Sequence, residues 1–506
     1  MKKNLKVLTF ASITAISVIL SFTQCAKNFD SESFAPAEFK AKIKGATANG
    51  GGALYCSISG GCPLTVTGTN FYAGAKVYVG PYECLESSVN GDNTQISCKV
   101  GPGKSGVFDI SVRNRDGNGS IIDPSVSDPT TLQFSYASFL YLANQSNPGR
   151  VYGYAQNPTT GALLNMGAGA GFATTGSTSY GIVLHPNNKY IYTADYGSGG
   201  TISFFSINPL NGFLTLAATY PNPSASGPAF HPSGKFLYVA NVQTNNVSAY
   251  AVADDGTLST IVGAPFASGV STTELNSSVI DPTGKFLYVS NSSTSGGGGV
   301  IGYAIDQTTG ALSLIPGSPF KNILGSPVTP STGDGITIHP NGRWLFIGGI
   351  RQKKVISYEI DTTTGALSGL EIPVSNGNLT DYGTSPFAWG GSGVSISPDG
   401  RFLFGTAGSP STADKFVTAY TIDLTTGFVS RVSNTSPTGQ YFTNGSPNDI
   451  KVDSNGAFAY TCNPYNNASI DAYRINSSTG QLTHLTPSSY AIPIVGSGPG
   501  TMVIQK

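Results

Sequence analysis

Short apolar segments, separated by clusters of turn residues, recur along most of the chain. From residue 138 onwards they form a repeat of about 50 residues, a period typical of β-propeller blades. Each unit consists of an apolar strand, a turn, a second apolar strand, a variable loop, a third strand, and a tight turn before a short final strand. The first turn can be aligned in six copies, at residues 184–187, 230–233, 280–283, 338–341, 396–399 and 452–455.

The second turn occurs once more than the first, and this difference predicts how the repeats close. Its seven copies lie at residues 160–163, 211–214, 255–258, 309–312, 364–367, 426–429 and 479–482. The first unit opens at Phe139 without an inner strand, whereas the C-terminal segment 498–504 is an inner strand with nothing after it. We therefore predict an all-β fold in which residues 137–506 form a seven-bladed β-propeller. Its terminal strand completes the first blade and leaves no free sheet edge.

Three stretches of the repeat resemble a known family. They are FHPSGKFLYVANVQTNNVSAYAV (230–252), DPTGKFLYVSN (281–291) and IDQTTGALSLIPGSPF (305–320). They are similar to the lactonase-type seven-bladed propellers, which include 6-phosphogluconolactonases and cycloisomerases, and to the looser YVTN surface repeats. The resemblance implies His and Arg side chains on inner strands, commonly in a Gly-Pro-Arg-His pattern. This chain has Gly227-Pro228-Ala229-Phe230 there, so the resemblance supports the fold more than the activity.

A smaller β-domain is predicted at residues 51–136. Alternating runs at 64–67, 76–79, 95–98 and 108–112 are separated by turn clusters, as in a β-sandwich. The stretches GGCPLTVTGTNFYAGAKVYVG (60–80) and GVFDISVRNRDG (106–117) resemble an IPT/TIG immunoglobulin-like domain. The resemblance implies a spacer or an interaction module.

Four of the six cysteines fall in this domain, which indicates disulfides in an exported protein. Cys84 and Cys98 flank what look like adjacent strands, so we pair them, and Cys56 then pairs with Cys62 by exclusion. Three connectivities of four cysteines exist. A metal site is the weaker alternative, because the spacing lacks CxxC pairs. Cys462 has no partner in the repeat and is predicted to be a buried free thiol.

The N-terminus has the pattern of an export signal. Lys2 and Lys3 precede an apolar stretch from residue 5 to residue 22, which ends just before Cys25. This resembles a bacterial lipoprotein signal peptide of the looser, spirochaete-like kind, with Phe22 and Gln24 departing from the commonest residues. We predict a signal peptide at residues 1–24, lipidation of Cys25 and a tether at 25–50. An ordinary signal peptide is the alternative.

The balance of charged residues argues against a nucleic-acid partner. Lys+Arg and Asp+Glu balance at 27 each, so no basic surface is predicted for nucleic acid. Charged residues make up only 11% of the chain but hydrophobic residues 39%, which fits a packed β-protein rather than a disordered one. The expected partners are the membrane, through the lipid anchor, and an unidentified protein or carbohydrate ligand.

The histidines do not form an obvious catalytic set. His185, His231 and His339 each occupy the first turn of a blade, where other blades have Asp281 or Ser397, so we interpret the position as turn capping. Lactone opening needs a base or an activated water, and a donor for the developing oxyanion. No catalytic residue is therefore assigned.

Polar residues at the start of the inner strands are the best candidates for a binding site at one mouth of the central channel. They are Tyr180, Glu274, Asn276, Asp334, Asn448 and Asp449. No cofactor is predicted, although carboxylates converging there could instead hold a divalent cation.

These patterns predict an exported, membrane-anchored lipoprotein of the outer membrane or cell surface, whose propeller is a binding scaffold. The alternative is an exported lactonase or sugar-acid lactone hydrolase. The side chains that line the channel discriminate between the two.

Overall fold

The computed structural model describes most of the chain beyond residue 40. The described ranges are 41–48, 55–114, 132–144, 149–166, 171–174, 176, 178–197, 199–271, 274–291, 299–320, 335–349, 354–369, 393–408, 415–432, 440–463, 468–492 and 499–505. Their regular structure is all β, and within these ranges no helix is long and apolar enough to cross a membrane. The predicted signal peptide and Cys25 lie outside them.

The described residues fall into two compact units. The first comprises those among Met1–Tyr55, Gly60–Gly103 and Val107–Ser135, and the second those among Cys56–Ser59, Lys104–Gly106 and Tyr136–Lys506. The first unit is a β-sandwich, as predicted. One sheet has the order β1-β3-β7-β6 and the other contains β4, β5 and β8; their bounds are β1 Lys42–Ala48, β3 Pro63–Thr69, β4 Lys76–Val79, β5 Tyr82–Glu83, β6 Leu85–Val89, β7 Gln95–Lys99 and β8 Gly106–Arg113.

The tether predicted for residues 25–50 is wrong at its C-terminal end. Residues 42–48 form strand β1, which pairs antiparallel with β3 from Lys42 opposite Thr69 to Ala48 opposite Leu64. The segment has no run of large apolar residues, so its pattern alone does not indicate a strand. Backbone pairing and the burial of Ala48 hold it in the sheet.

Of the two predicted disulfides, the structure contains one. Cys56 and Cys62 form a disulfide, as predicted. Cys84 and Cys98 are buried free thiols, so the predicted bond between them is wrong. The pairing of Leu85 with Lys99 sets the two cysteines diagonally across the strands rather than opposite each other. Their hydrogen bond to each other, together with burial, raises the pKa of Cys98.

The second unit is a ring of seven blades. Six of them are consecutive in sequence, each with an inner strand, two middle strands and an outer strand. Blade 1 has β13 Thr178–Leu184, β14 Tyr190–Tyr196, β15 Thr201–Ile207 and β16 Leu214–Pro221; blade 2 has β17 Ala225–Phe230, β18 Phe236–Asn241, β19 Asn246–Val252, β20 Leu258–Thr260 and β21 Phe266–Ala267; blade 3 has β22 Leu275–Ile280, β23 Phe286–Asn291, β24 Gly299–Ile305 and β25 Leu312–Leu314.

The later blades repeat this order. Blade 4 has β26 Ile336–Ile338, β27 Trp344–Gly349, β28 Lys354–Ile360 and β29 Leu367–Gly369; blade 5 has β30 Val394–Ile396, β31 Phe402–Gly408, β32 Lys415–Ile422, β33 Val429–Arg431 and β34 Gln440–Phe442; blade 6 has β35 Asp449–Val452, β36 Phe458–Asn463, β37 Ser469–Ile475 and β38 Leu482–Ala491.

Blade 7 joins the two ends of the repeat, as predicted. Its strands are β39 Pro499–Ile504, β9 Gln133–Asn144, β10 Arg150–Gln156, β11 Leu163–Asn165 and β12 Phe172–Ala173, with the short β2 Tyr55–Ser57 also paired to β9. The C-terminal β39 pairs antiparallel with β9, with Ile504 opposite Leu140. The amide of Gln505 reinforces the closure, since its oxygen accepts from the Phe139 backbone N–H at 3.2 Å.

Neighbouring blades are joined by a repeated hydrogen bond. A tyrosine on the second strand of a blade donates its hydroxyl to the carbonyl of the second-turn glycine in the next blade. The pairs are Tyr141–Gly212, Tyr192–Gly256, Tyr238–Gly310, Tyr288–Gly365 and Tyr460–Gly161. Phe346 and Phe404 take this position in blades 4 and 5 and cannot make the bond. The Tyr460 bond, 2.7 Å long, joins blade 6 to blade 7.

Removing one of these hydroxyls should destabilise the propeller by an amount that a matched control can isolate. We expect Tyr460→Phe to lower the free energy of unfolding by about 1–3 kcal/mol, because its hydroxyl donates to Gly161 and accepts from Gln156 Nε2 and both buried bonds are lost. The control is Tyr358→Phe, since the buried Tyr358 hydroxyl has no hydrogen-bond partner among the described residues. Urea denaturation of the full chain should show no loss for the control, and equal losses for both variants would contradict the assignment.

Candidate functional site

The inner strands all begin at the same end of the central channel, which we call the mouth. The ring is continuous, since each inner strand contacts the next from β13 through β17, β22, β26, β30, β35 and β39 back to β13. Tyr180, Asn276 and Asn448 each stand four residues before the first turn of their blade, so they occupy one row at the mouth.

Strand β39 brings three of the predicted residues into one part of the mouth. The Asn448 side-chain amide donates to the Gly500 carbonyl at 2.6 Å, and the Met502 backbone N–H donates to Asp449 Oδ2 at 3.0 Å. On the other side of β39, the Thr501 hydroxyl donates to the Tyr180 carbonyl at 3.4 Å. Tyr180 and Asp449 therefore lie on the two inner strands that flank β39, and Asn448 directly precedes one of them.

An ion pair lies in the same place. Lys451 Nζ is 2.8 Å from Asp449 Oδ1, with the lysine side chain 33% exposed and the aspartate side chain 7% exposed. Asp449 Oδ1 also accepts from the Ile450 backbone N–H at 2.8 Å. Lys451 stands on an inner strand, β35, whose other neighbour within the blade is β36, and part of its side chain is exposed to solvent. We define the mouth sector as Tyr180, Asn448, Asp449, Lys451 and Thr501.

Lys451 was missed by the sequence analysis, which examined the inner strands for His and Arg. It is the one cation, and Asp449 the one anion, on the seven inner strands as the structure describes them. The signal was available in the blade alignment. The same row in the other blades holds only uncharged residues, namely Val183, Ala229, Val279, Thr337, Ser395 and Val503, each paired with the second-strand tyrosine or phenylalanine of its blade.

The remaining predicted residues do not join this sector. Glu274 directly precedes β22 in blade 3, and Asn276 lies on β22, where its backbone carbonyl accepts from the Ser226 hydroxyl at 3.2 Å. Asp334 lies outside the described residues. Over the described ranges, no group of three or more His, Cys, Asp or Glu side chains is placed to hold a metal ion.

The turn histidines are structural, as predicted. His185 Nδ1 accepts from the Asn187 backbone N–H at 3.1 Å, which leaves Nε2 to donate to the Gly234 carbonyl of the next blade at 3.0 Å. His231 and His339 bond in the same way to the next blade's turn. Burial lowers the pKa of His185 and so favours its neutral form. These rings join blades at the end of the channel opposite the mouth.

Asp195 is a second buried carboxylate near the mouth, at the end of β14. Ser179 and Ser203 donate their hydroxyls to its two oxygens at 2.5 and 2.6 Å, and burial raises the pKa of Asp195. The equivalent position, opposite the first residue of the third strand, holds Asn144, Asn241, Asn291 or Asn463 in other blades. The side chain therefore has a structural role that an amide also performs.

The presence of Asp195 where other blades have asparagine predicts that the stability of the propeller depends on pH. Because the folded pKa of Asp195 is raised, the folded state binds its proton more tightly, and stability falls as the pH rises from about 4 through the folded pKa. Asp195→Asn removes that fall, so the variant should gain stability relative to the wild type as the pH rises. Urea denaturation at pH 4.5 and pH 7.5 measures this. The reverse change, Asn241→Asp, should lose stability over the same interval, and a difference independent of pH would contradict the prediction.

Comparison with known proteins agrees with this architecture. The family model described as lactonase, 7-bladed beta-propeller, matches residues 103–212, 200–382 and 373–493, and the IPT/TIG domain model matches residues 54–134. A 6-phosphogluconolactonase of Formosa agariphila is 24% identical over 324 residues, which cover 60% of this chain and 82% of that protein.

Solved structures show the same fold at low sequence identity. A putative 6-phosphogluconolactonase of Bacteroides uniformis is 17% identical with a TM-score of 0.58, and the match covers 73% of this chain and 99% of that one. The periplasmic gluconolactonase of Pseudomonas aeruginosa is 16% identical with a TM-score of 0.56, over 73% and 99% of the two chains.

Proposed function

We propose a function that proceeds from one premise: this chain belongs to the lactonase family of seven-bladed β-propellers, and it carries an IPT/TIG domain. The proposed function is the binding of a sugar acid at the mouth sector, by a lipoprotein of the cell envelope. The observation that carries the proposal is the Lys451–Asp449 pair on an inner strand.

Lys451 is suited to hold an anionic group. An ammonium has three N–H donors, and Asp449 takes one of them, so two remain for a ligand. Asp449 is itself fixed by the backbone N–H groups of Ile450 and Met502, which holds the lysine at the channel instead of leaving it to follow solvent. Nearby, the Thr501 hydroxyl and the Asn448 amide suit ligand hydroxyl groups. A small polyhydroxylated acid matches this combination of a cation and neutral polar groups.

Lactone hydrolysis is the second candidate, favoured by the names of the relatives and by the same lysine. In that reaction water adds to the lactone carbonyl, the ring C–O bond breaks, the ring oxygen takes a proton and a hydroxy acid is released. Lys451 would stabilise the oxyanion. The base is the weak point, because the Asp449 oxygens accept three hydrogen bonds and the turn histidines lie at the other end of the channel. We therefore propose ligand binding as the first candidate function and lactone hydrolysis as the second.

The envelope location rests on the N-terminal pattern. Several acyl chains on Cys25 would anchor the protein durably, whereas one would not. The IPT/TIG domain stands between this anchor and the propeller in sequence, as a spacer would. Acyl labelling of the full chain should be lost in Cys25→Ala, and labelling that survives the substitution would contradict the anchor.

The binding proposal predicts a large effect from one side chain. Titration calorimetry of the full chain with gluconate should show 1:1 binding, and Lys451→Met should weaken it about tenfold or more, because a charge-assisted hydrogen bond is lost. Lys189→Met removes the same charge from an exposed turn at the opposite end of blade 1 and should leave the affinity unchanged.

Two outcomes decide between the candidates. Equal affinities of Lys451→Met and wild type, or no binding of any sugar acid, would overturn the proposal. A lactone panel tests the second candidate separately, since turnover that Lys451→Met abolishes would establish hydrolysis at the same site.

A further inference from the structure

Tyr180 differs from the tyrosines that join the blades, because its side chain is exposed. The second-strand tyrosines, such as Tyr192 and Tyr238, are fully buried and donate their hydroxyls to the next blade. Tyr180 is 42% exposed at the mouth. The same row holds Ser226 in blade 2, Asn276 in blade 3, Asn448 in blade 6 and Gly500 in blade 7. Among these blades, only blade 1 has an aromatic side chain in the row.

The Tyr180 ring is nevertheless held in place. It makes an edge-to-face contact with Tyr196, with ring centroids 5.2 Å apart and planes at 68°. The Tyr196 hydroxyl in turn accepts from Gln243 Nε2 of blade 2 at 2.6 Å. Tyr180 stands at the bulge of strand β13, and its backbone carbonyl accepts from the Thr501 hydroxyl of blade 7. A ring packed against a tyrosine that is itself hydrogen-bonded loses little conformational freedom when a ligand binds, which favours a role in recognition.

The polar members of the mouth sector lie on β39 and at the start of β35, next to the inner strand that carries Tyr180. Thr501 contacts the Tyr180 backbone directly, and Asn448 and Asp449 bond to the backbone of the same strand, β39. An exposed aromatic side chain at the same mouth as a hydroxyl, an amide and an ammonium is complementary to a closed sugar ring. The C–H face of a pyranose packs on an aromatic face, while its hydroxyl and carboxylate groups at the rim reach the polar partners.

We infer that Tyr180 is a stacking platform that makes the mouth sector selective for sugar acids in the closed pyranose form over open-chain acids. This inference rests on the proposed function, since it concerns the ligand of the same site. An open-chain acid offers Lys451 the same carboxylate but presents no rigid C–H face to the ring. Selectivity between the two forms therefore comes from Tyr180, and affinity for the acid group comes from Lys451.

The test uses two acids that differ in ring closure. Methyl glucuronoside is a closed ring with one carboxylate and no lactone, and gluconate is an open chain with one carboxylate. Calorimetry on the full chain should show the closed ring binding about tenfold more tightly, the effect of one aromatic contact of about 1.4 kcal/mol. In Tyr180→Ala this ratio should fall to about one. Phe442→Ala removes another exposed aromatic ring, in blade 5, and should keep the ratio.

A second measurement needs no variant. In saturation-transfer NMR with wild-type protein, irradiation of the aromatic protons should transfer magnetisation mainly to the C–H protons on one face of methyl glucuronoside. Transfer spread evenly over both faces, or a ratio that Tyr180→Ala does not change, would overturn the inference.

The failure of this inference and that of the proposed function can be told apart. If Lys451→Met weakens both acids but the ratio is near one in the wild type, the site binds acids and Tyr180 is not a platform. If Lys451→Met changes neither acid, the proposed site is wrong. In that case, neutral methyl glucoside binding that Tyr180→Ala abolishes would retain the platform, and the absence of such binding would overturn it as well.

Discussion

Gly161→Ala should destabilise the propeller by about 2–5 kcal/mol, the largest effect we expect from a single methyl group. Gly161 lies in the second turn of blade 7 with φ at +76°, which costs an L-residue about 1–2 kcal/mol. An added Cβ would stand 2.3 Å from Cδ1 of Phe458 in blade 6. Phe458 is buried, so its ring cannot swing into solvent, and overpacking of this kind costs about 1–3 kcal/mol more.

A matched control separates the two contributions. Gly199 has the same backbone conformation, with φ at +75°, but an added Cβ there would meet no atom within 4 Å. Gly199→Ala should therefore cost only the conformational part, about 1–2 kcal/mol. Urea denaturation of the full chain gives both free energies of unfolding. Equal costs at the two positions would contradict the packing described for the junction between blades 6 and 7.

The same packing recurs at every junction of the ring. The other second-turn glycines each stand against an aromatic side chain of the preceding blade, in the pairs Gly212–Phe139, Gly256–Phe204, Gly310–Phe236, Gly365–Phe286, Gly427–Trp344 and Gly480–Phe402. The second turn therefore packs against the preceding blade as well as reversing the chain. This explains why glycine stands in all seven copies of a turn whose other positions vary.

Asp449→Ala should be the second most damaging change, with a loss of about 2–4 kcal/mol. Asp449 is buried and accepts from Lys451, Ile450 and Met502. Its removal leaves two backbone N–H groups without their acceptor and Lys451 without its counter-ion. Breaking a buried ion pair costs about 3–5 kcal/mol, and the partial exposure of Lys451 reduces that figure.

An exposed ion pair is the control for this effect. Arg343 and Glu359 are 2.8 Å apart, as close as Lys451 and Asp449, but their side chains are 50% and 39% exposed. Glu359→Ala should cost no more than about 1 kcal/mol, because solvent already screens the pair. If thermal or urea denaturation shows the same loss for both substitutions, Asp449 does not hold the inner strands together as described.

Local patterns were sufficient to predict the fold. Two short signals recur along the chain: the first turn, with its capping His, Asp or Ser, in six blades and the second turn, with its glycine, in all seven. The count of seven second turns against six first turns predicted that β39 would close the ring on β9, and their pairing confirms it. Long-range closure was predictable because it follows from which strand is missing.

Features that depend on register or on the third dimension were not predictable in the same way. The predicted Cys84–Cys98 bond was wrong because the register of the strands, with Leu85 opposite Lys99, sets the two cysteines diagonally. Strand β1 was missed because backbone pairing holds it rather than apolar side chains. At the mouth, the sequence indicated Tyr180, Asn448 and Asp449, but only the position of β39 between their strands shows that they belong together.

The central claim is that the mouth sector binds a sugar acid through Lys451. A crystal structure of the full chain with methyl glucuronoside tests it most directly. The account predicts the ligand carboxylate within hydrogen-bonding distance of Lys451 Nζ and the pyranose ring against Tyr180. A ligand bound on the IPT/TIG domain, or in the channel away from blades 6, 7 and 1, would contradict it.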